Sequence, residues 1–301
     1  MRFLKSKKLL KRVAVLVILF CVFGYIGLTY ILPYAILQPK RTVTIIDPVT
    51  ISSNFETIAI PIDGIGELRG YFFKPMGLEP KAIVILVHGI GGAKEHFFLL
   101  ASKLKEEGIA SIALDNRAHG ESDGDFVTYG FFEKYDIQKT VTLFKKEYPD
   151  IPIGIWGASM GGAIALQVME IDNRIEFGIV ESTFTNLPQI VYDYQKRFSG
   201  GIGMRYVTDY SLKRAGAIAG FNPEMVNPLT SVKNINQPLF MAHGANDKRI
   251  KYEYGQELFK NLASEDKHFE LVEGAGHLDV GKIGGEKYYC KVIGFIEKQL
   301  N

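Results

Sequence analysis

The stretch G-A-S-M-G-G at residues 157–162 contains the serine best placed for chemistry. An apolar run at 153–156 is typical of a buried strand, and small residues at 160–169 are typical of a helix. A tight strand-to-helix turn would hold the Ser159 hydroxyl at the carboxyl end of a sheet, and glycines on either side leave room for such a turn. The pattern alone also fits an ordinary glycine-rich turn, but in this context it predicts that Ser159 is a nucleophile.

A serine hydroxyl needs a base, because its own pKa lies far above neutrality. His277 follows the apolar run that ends at Val272, and Asp247 follows the run that ends at Ala242. The carboxyl ends of parallel strands share one edge of a sheet, so we expect both side chains near Ser159, with His277 as the base and Asp247 as the carboxylate that orients it. Each residue also has a structural interpretation, since Asp247 suits a helix N-cap and His277 suits a surface loop.

The oxyanion of a tetrahedral intermediate needs two backbone N–H donors. One donor is predicted at Met160, directly after the nucleophile. The second is predicted at Ile90, in the loop H-G-I-G-G at 88–92 that follows the apolar run at 83–87. We expect His88 to hydrogen-bond the loop backbone rather than to act as a base.

The loop D-N-R-A-H-G-E-S at 115–122 offers another histidine and serine. A metal site there is a poor alternative, because one histidine with scattered acids is weak ligation. We expect this loop to shape the wall beside the catalytic centre. The two cysteines, Cys21 and Cys290, fall in an apolar run and in the predicted last helix, so the sequence indicates no disulfide. We expect neither a metal nor an organic cofactor.

The elements that must position these residues alternate regularly from residue 55 onward. Short apolar runs and longer amphipathic runs follow each other, which is typical of a mostly parallel sheet with helices on both faces. Two alternating runs at 57–62 and 67–73 predict an antiparallel hairpin at the sheet edge. The stretch 183–232 interrupts the rhythm with aromatic and glycine residues, and we interpret it as a short helical cap.

Residues 13–32 form an uncharged apolar run that is long enough to cross the bilayer core. It is longer than the core of a cleaved signal peptide, which favours a retained signal anchor, and Pro33 and Pro39 are expected to discourage further helix. Basic residues precede the run, so the positive-inside rule predicts a cytoplasmic N-terminus and an extracytoplasmic catalytic domain. Apart from its basic tail the chain is mildly acidic, which argues against a nucleic-acid partner. The predicted division is a tail and transmembrane anchor at 1–37, a linker at 38–54 and a catalytic domain at 55–301.

Together, these stretches resemble the α/β-hydrolase superfamily. The matching motifs are H-G-I-G-G at 88–92, D-N-R-A-H-G-E-S at 115–122, G-A-S-M-G-G at 157–162, H-G-A-N-D at 243–247 and G-H at 276–277. The resemblance covers about residues 55–300 and implies a triad in the chain order Ser159, Asp247, His277, with Glu181 as a second candidate for the acid. The pattern is most similar to that of small esterases, lysophospholipases and serine peptidases of this fold.

The predicted reaction is acyl transfer to water through an acyl-enzyme intermediate. The anchor and the aromatic cap favour an ester substrate with an acyl or lipid group, such as a carboxylester, a lysophospholipid or a thioester. A serine peptidase or amidase of the same fold is one alternative. A non-catalytic, membrane-tethered binding protein is the other, and it is disfavoured because all three triad residues are present.

Overall fold

The computed structural model describes residues 2–42, 55–77 and 79–300, and these residues contain one eight-stranded sheet. Its strands are β1 (Phe55–Ile62), β2 (Gly66–Phe73), β3 (Ile83–Val87), β4 (Ala110–Leu114), β5 (Ile153–Ala158), β6 (Ile175–Glu181), β7 (Leu239–Gly244) and β8 (Lys267–Val272). Their order across the sheet is β1-β2-β4-β3-β5-β6-β7-β8. The pairings β1–β2 and β2–β4 are antiparallel and the others are parallel, which confirms the predicted sheet and its edge hairpin.

The central strands are buried on both faces of the sheet. Every residue of β3 and β4 is buried. Successive side chains of β3 alternate between two cores, with Ile83, Ile85 and Val87 in one core. Val84 and Leu86 lie in the other core. Because both faces of a parallel strand meet apolar layers, such a strand has an unbroken apolar sequence.

Helices cover both faces of this sheet. They are α1 (Arg2–Ile26), α2 (Leu32–Leu37), α3 (Phe98–Glu106), α4 (Glu133–Glu147), α5 (Met160–Ile171), α6 (Leu187–Phe198), α7 (Arg205–Ala219), α8 (Pro228–Ser231), α9 (Tyr252–Asn261) and α10 (Val280–Lys298). Val141 of α4 and Ile164 of α5 lie in the core on one face. Leu104 of α3 and Val292 of α10 lie in the core on the other face. The helices α6, α7 and α8 fall within the stretch predicted as a cap.

A single N-terminal helix runs from Arg2 to Leu37, because α1 passes into α2 through a π-helical segment, Gly27–Ile31. The expectation that Pro33 and Pro39 discourage further helix is therefore wrong for Pro33, whereas the helix does end at Leu37, two residues before Pro39. The Leu32 N–H bonds to the carbonyl of Gly27, five residues earlier, so the helix is widened just before the proline. Pro33 then lies in the first turn of α2, where a missing N–H is tolerated.

The first part of this helix is exposed, and the last part packs on the domain that contains the sheet. Lys8–Leu37 is long and apolar enough to cross a membrane, and residues 8–26 are exposed throughout. Leu37 is fully buried. Beyond it, the Arg41 guanidinium donates to the carbonyl of Ser122 at 2.6 Å. The rest of the predicted linker, 43–54, lies outside the described residues.

Candidate active site

Ser159 lies on the turn between β5 and α5. Its backbone has φ 57° and ψ −119°, a strained conformation for a residue with a side chain. The flanking glycines leave no space for a Cβ atom. A Cβ on Gly157 would lie 2.2 Å from the Gly161 carbonyl oxygen, and a Cβ on Gly161 would lie 1.9 Å from the Val87 carbonyl oxygen. Glycine at both positions therefore lets β5, α5 and β3 approach closely enough to form the turn.

Two hydrogen bonds hold the backbone of this turn. The Ser159 N–H donates to the carbonyl oxygen of Glu181 at 2.8 Å. The Thr183 hydroxyl donates to the carbonyl oxygen of Ser159, also at 2.8 Å. Glu181 ends β6 and Thr183 lies two residues beyond it, so the neighbouring strand and the segment after it stabilise the strained conformation. Sequence reasoning missed Thr183, because a single threonine at the start of a cap carries no distinguishing signal.

Ser159, His277 and Asp247 lie in a chain of hydrogen-bonding contacts. Ser159 Oγ lies 3.0 Å from His277 Nε2, and His277 Nδ1 lies 2.7 Å from Asp247 Oδ2. Asp247 belongs to the loop after β7 and His277 to the loop after β8, at the sheet edge where β5 ends. When Nδ1 donates to the carboxylate, Nε2 is the nitrogen that can accept the serine proton. The structure thus brings together the three side chains proposed from the sequence.

The Asp247 carboxylate is held in its ionised form. Its Oδ1 accepts the backbone N–H groups of Arg249 at 2.8 Å and Ile250 at 2.9 Å. Burial by itself raises the pKa of Asp247, but hydrogen bonds from His243, His277 and the backbone outweigh burial, and the pKa lies well below its usual range. An ionised Asp247 stabilises the positive charge on His277 when that ring takes up a proton.

The loop after β3 contains Ile90, the predicted oxyanion donor. His88 at the start of this loop is buried, and its Nε2 accepts the N–H of Asn116 at 3.0 Å. Burial lowers the pKa of His88 to about 3, so the ring stays neutral and bonds the loop backbone as expected. Among the described residues, no backbone carbonyl accepts a hydrogen bond from the N–H of Ile90 or Met160. Both residues border the cavity that Ser159 borders, and their role as donors stays a prediction.

A buried ion cluster fixes the far end of the same loop. Lys94 Nζ lies 2.8 Å from Asp115 Oδ2, 2.7 Å from Glu121 Oε2 and 3.1 Å from Glu95 Oε1. The Lys94 and Asp115 side chains are almost fully buried. The cluster joins the loop after β3 to the loop 115–122. The loop 115–122 therefore supports the loop that contains Ile90, the predicted oxyanion donor. A lone lysine in a sequence gives no sign of such burial, and sequence reasoning missed it.

The remaining candidates have structural partners. Glu181, the second candidate for the acid, is half-buried and accepts a hydrogen bond from Tyr288 Oη at 2.5 Å, and desolvation raises the pKa of its carboxyl. Cys21 and Cys290 are separate free thiols. In the described part of the chain, no group of three or more His, Cys, Asp or Glu side chains is arranged to hold a metal ion.

An apolar cavity of about 470 Å³ borders Ser159. This volume falls within the range of about 300–1,000 Å³ that is usual for small-molecule sites. Much of the lining comes from the cap stretch 183–232, through Phe184, Ile190, Val191, Tyr194, Phe198, Met204 and Val207. The cavity therefore places an apolar compartment directly beside the serine hydroxyl.

The lining includes residues that sequence reasoning did not assign to the site. Tyr129 borders the cavity with a strained backbone φ of 57°. Leu32, Ala35 and Ile36 of the N-terminal helix border it as well. An apolar helix sequence carries no mark that distinguishes lipid-facing residues from residues that face a cavity, so these three positions looked like ordinary anchor residues.

Comparisons with known proteins agree with this geometry. A family model described as serine aminopeptidase, S33, matches residues 78–212. The mouse monoglyceride lipase is 26% identical over 239 aligned residues, covering 69% of this chain and 78% of the relative. The mouse lysophosphatidylserine lipase is 26% identical over 204 aligned residues, covering 62% of this chain and 47% of the relative. A solved Pyrococcus furiosus esterase has a TM-score of 0.74 at 24% identity, covering 88% of this chain and 99% of that chain, which shows the shared fold.

The sheet order, the serine turn and these similarities together define the class of protein. The chain belongs to the α/β-hydrolase superfamily, as its motifs predicted. Its similarity to the monoglyceride lipases supports an ester-hydrolysing enzyme of the lipase and esterase type.

Proposed function

We propose that the protein is a membrane-anchored serine hydrolase that cleaves a carboxylic ester through an acyl-enzyme intermediate. The observation that carries this proposal is the contact chain Ser159–His277–Asp247, at 3.0 Å and 2.7 Å, beside an apolar cavity. An apolar cavity suits an acyl chain, because burying such a chain removes apolar surface from water. The relatives named as monoglyceride and lysophosphatidylserine lipases support an ester with a lipid acyl group.

Ser159 is the proposed nucleophile. Its Oγ attacks the ester carbonyl carbon while its proton passes to His277 Nε2, and the carbonyl oxygen becomes an oxyanion. Collapse of this tetrahedral intermediate breaks the ester C–O bond, and the departing alcohol takes the proton from His277. Water then attacks the acyl-enzyme with His277 again acting as the base, which releases the carboxylic acid and restores Ser159.

Two electrostatic features support the charges that develop. The ionised Asp247 faces His277 at 2.7 Å, where it stabilises the protonated ring. The N–H groups of Ile90 and Met160 are the proposed oxyanion donors, and Met160 begins α5, whose N-terminal end carries the positive end of the helix dipole. Each donor of this kind typically contributes about 10²–10³ in kcat.

The helix Lys8–Leu37 is the proposed membrane anchor. At about 1.5 Å per residue, residues 13–32 span about 30 Å, the thickness of a bilayer core. The basic residues before this run favour a cytoplasmic N-terminus, which puts the catalytic domain on the opposite side. In intact cells a membrane-impermeant maleimide should therefore label the exposed thiol of Cys290. The variant Cys290→Ser is the control and should not be labelled. Labelling of the wild type only after cell lysis would contradict this orientation.

A fluorophosphonate probe tests the catalytic part of the proposal. We expect intact-mass measurement to show one adduct on the full-length wild type and none on Ser159→Ala. Ser102→Ala is the matched control for loss of a serine hydroxyl, and it should keep the adduct. Separate preparations that have not been exposed to the probe are assayed with p-nitrophenyl butyrate and with a peptide p-nitroanilide.

Each result of this experiment has a defined meaning. Ester cleavage that disappears in Ser159→Ala supports the ester hydrolase. Cleavage of the anilide with no cleavage of the ester would replace it with the peptidase alternative. A folded wild-type protein that forms no adduct would contradict an activated serine and favour a binding protein.

A further inference from the structure

The end of the N-terminal helix forms part of the cavity beside Ser159. Leu32, Ala35 and Ile36 all border this cavity, at the three- and four-residue spacing of one helix face. The helix continues along α7 towards its apolar segment, where Thr29 Oγ1 lies 3.4 Å from Tyr210 Oη. The proposed anchor and the proposed substrate site are therefore in direct contact.

This helix end is firmly attached to the catalytic domain. The carbonyl of Ile36 accepts the Tyr129 hydroxyl at 2.7 Å, and the carbonyl of Leu37 accepts the Val127 N–H at 2.9 Å. The last carbonyls of a helix have no partners within the helix, so these bonds satisfy groups that water would otherwise have to reach. The cavity wall made by α2 is thus tied to the same domain that positions Ser159.

The same contacts set the height of the cavity relative to a bilayer. If residues 13–32 cross the apolar core, Leu32 lies at its boundary and Thr29 lies about 5 Å deeper. The contact of Thr29 with Tyr210 then brings α7 to this boundary as well. The exposed residues among its lining include Phe198, which is 82% exposed, Met204 at 46%, Ile90 at 41% and Leu32 at 38%. Leu32 puts one part of this exposed rim beside the membrane-crossing part of the helix.

We propose that the last turns of the anchor are an acyl-chain subsite, in which Leu32, Ala35 and Ile36 contact the acyl chain of a bilayer-resident lipid ester and set its preferred length. The inference rests on the proposed function and names its substrate class. The ester passes from the adjacent leaflet along the helix into the cavity, so its acyl chain stays in apolar surroundings on the way to Ser159. The anchor then contributes to specificity as well as to location.

Ala35 is the position for the test, because it borders the cavity and has a small side chain. Ala35→Trp places an indole there, and Ile31→Trp places the same group on a neighbouring position that is 62% exposed and does not line the cavity. The full-length proteins are reconstituted in phosphatidylcholine vesicles with palmitoylglycerol or butanoylglycerol. The readout is the ratio of kcat/KM for the palmitoyl ester to kcat/KM for the butanoyl ester.

The expected change follows from the volume that the indole occupies. Each methylene group kept out of an apolar cavity weakens binding by about fourfold. An indole that displaces about three methylene groups should lower the palmitoyl-to-butanoyl ratio by roughly 60-fold in Ala35→Trp. The ratio in Ile31→Trp should stay within about twofold of the wild type.

A second variant keeps the proposal testable if Ala35→Trp does not fold. Ile36→Ala enlarges the cavity, so its ratio should rise by about fourfold or more, a change that unfolding cannot produce. Unchanged ratios in both cavity variants, with ester hydrolysis intact, would overturn the acyl subsite and leave the proposed function standing. A wild type that neither cleaves these esters nor reacts with a fluorophosphonate would overturn the proposed function itself.

Discussion

Replacing Asp247 by asparagine changes the charge of the proposed acid at almost constant shape. In the native protein, Oδ1 accepts the N–H groups of Arg249 and Ile250, and Oδ2 faces His277 Nδ1 at 2.7 Å. The asparagine carbonyl can keep both backbone bonds, which directs its NH₂ group towards Nδ1. His277 must then carry its proton on Nε2, the atom that has to accept the Ser159 proton.

The expected magnitude combines two losses. The carboxylate no longer stabilises the protonated ring, an interaction of about 4 kcal/mol for unit charges about 4 Å apart at an effective dielectric constant of about 20. That energy alone corresponds to about 10³ in rate. The unfavourable tautomer of His277 reduces the active fraction further, so we expect kcat for p-nitrophenyl butyrate to fall by about 10³–10⁴ in Asp247→Asn.

Two assays and one control variant check this reasoning. Ester turnover and fluorophosphonate labelling both need an activated Ser159, so both rates should fall together in Asp247→Asn. The control is Glu181→Gln, which changes the second candidate for the acid. The Glu181 carboxylate accepts a hydrogen bond from Tyr288, whereas the hydrogen-bonding partner of His277 Nδ1 is Asp247. We expect its kcat to stay within about tenfold of the wild type. A loss below tenfold in Asp247→Asn, or a loss near 10³ in Glu181→Gln, would refute the assignment of the acid.

Two further predictions concern stability, measured by urea unfolding. Lys94→Met leaves Asp115 buried without its cation and should cost about 3–5 kcal/mol. Glu121→Gln, at the exposed partner, should cost less than about 1 kcal/mol, and equal costs would contradict the buried cluster. Burial lowers the pKa of His88 to about 3, whereas the pKa in the unfolded chain is near 6.5. The contribution of the neutral ring to the free energy of unfolding is therefore fully present above pH 6.5 and is lost as the pH falls towards 3, because only the unfolded chain takes up a proton in that range. We expect the His88 ring to account for about 2 kcal/mol of lost stability between pH 7 and pH 5. The pH dependence should be weaker in His88→Gln, and an unchanged pH dependence would contradict this origin.

Local sequence patterns were enough to predict most of the catalytic domain. A strand buried on both faces needs an unbroken apolar run, so strands such as Ile83–Val87 were predictable without knowledge of their neighbours. Ser159 and Asp247 each follow the end of such a strand, and His277 follows β8, a partly buried strand. Since parallel strands end at one edge of a sheet, their proximity followed from the same pattern.

Contacts between distant segments were not predictable in the same way. The bond from Thr183 to the Ser159 carbonyl depends on β6 lying next to β5, and the Lys94–Asp115 pair depends on β4 lying next to β3. Strand order is a property of the folded chain, because pairing partners are far apart in sequence. The helix through Pro33 was missed for a local reason, since the π-helical segment before it is a backbone adjustment that no residue type specifies.

The sequence by itself determined that an apolar helix of membrane length precedes a parallel sheet with chemistry-bearing residues at its strand ends. Only the tertiary structure decided that this helix ends inside the catalytic domain, with Ala35 and Ile36 bordering the cavity beside Ser159. The physical reason is that burial of apolar surface is non-directional. An apolar residue in a sequence indicates that its side chain will be removed from water. Whether that side chain then contacts lipid, the protein core or a substrate cavity depends on the surfaces that folding brings against it.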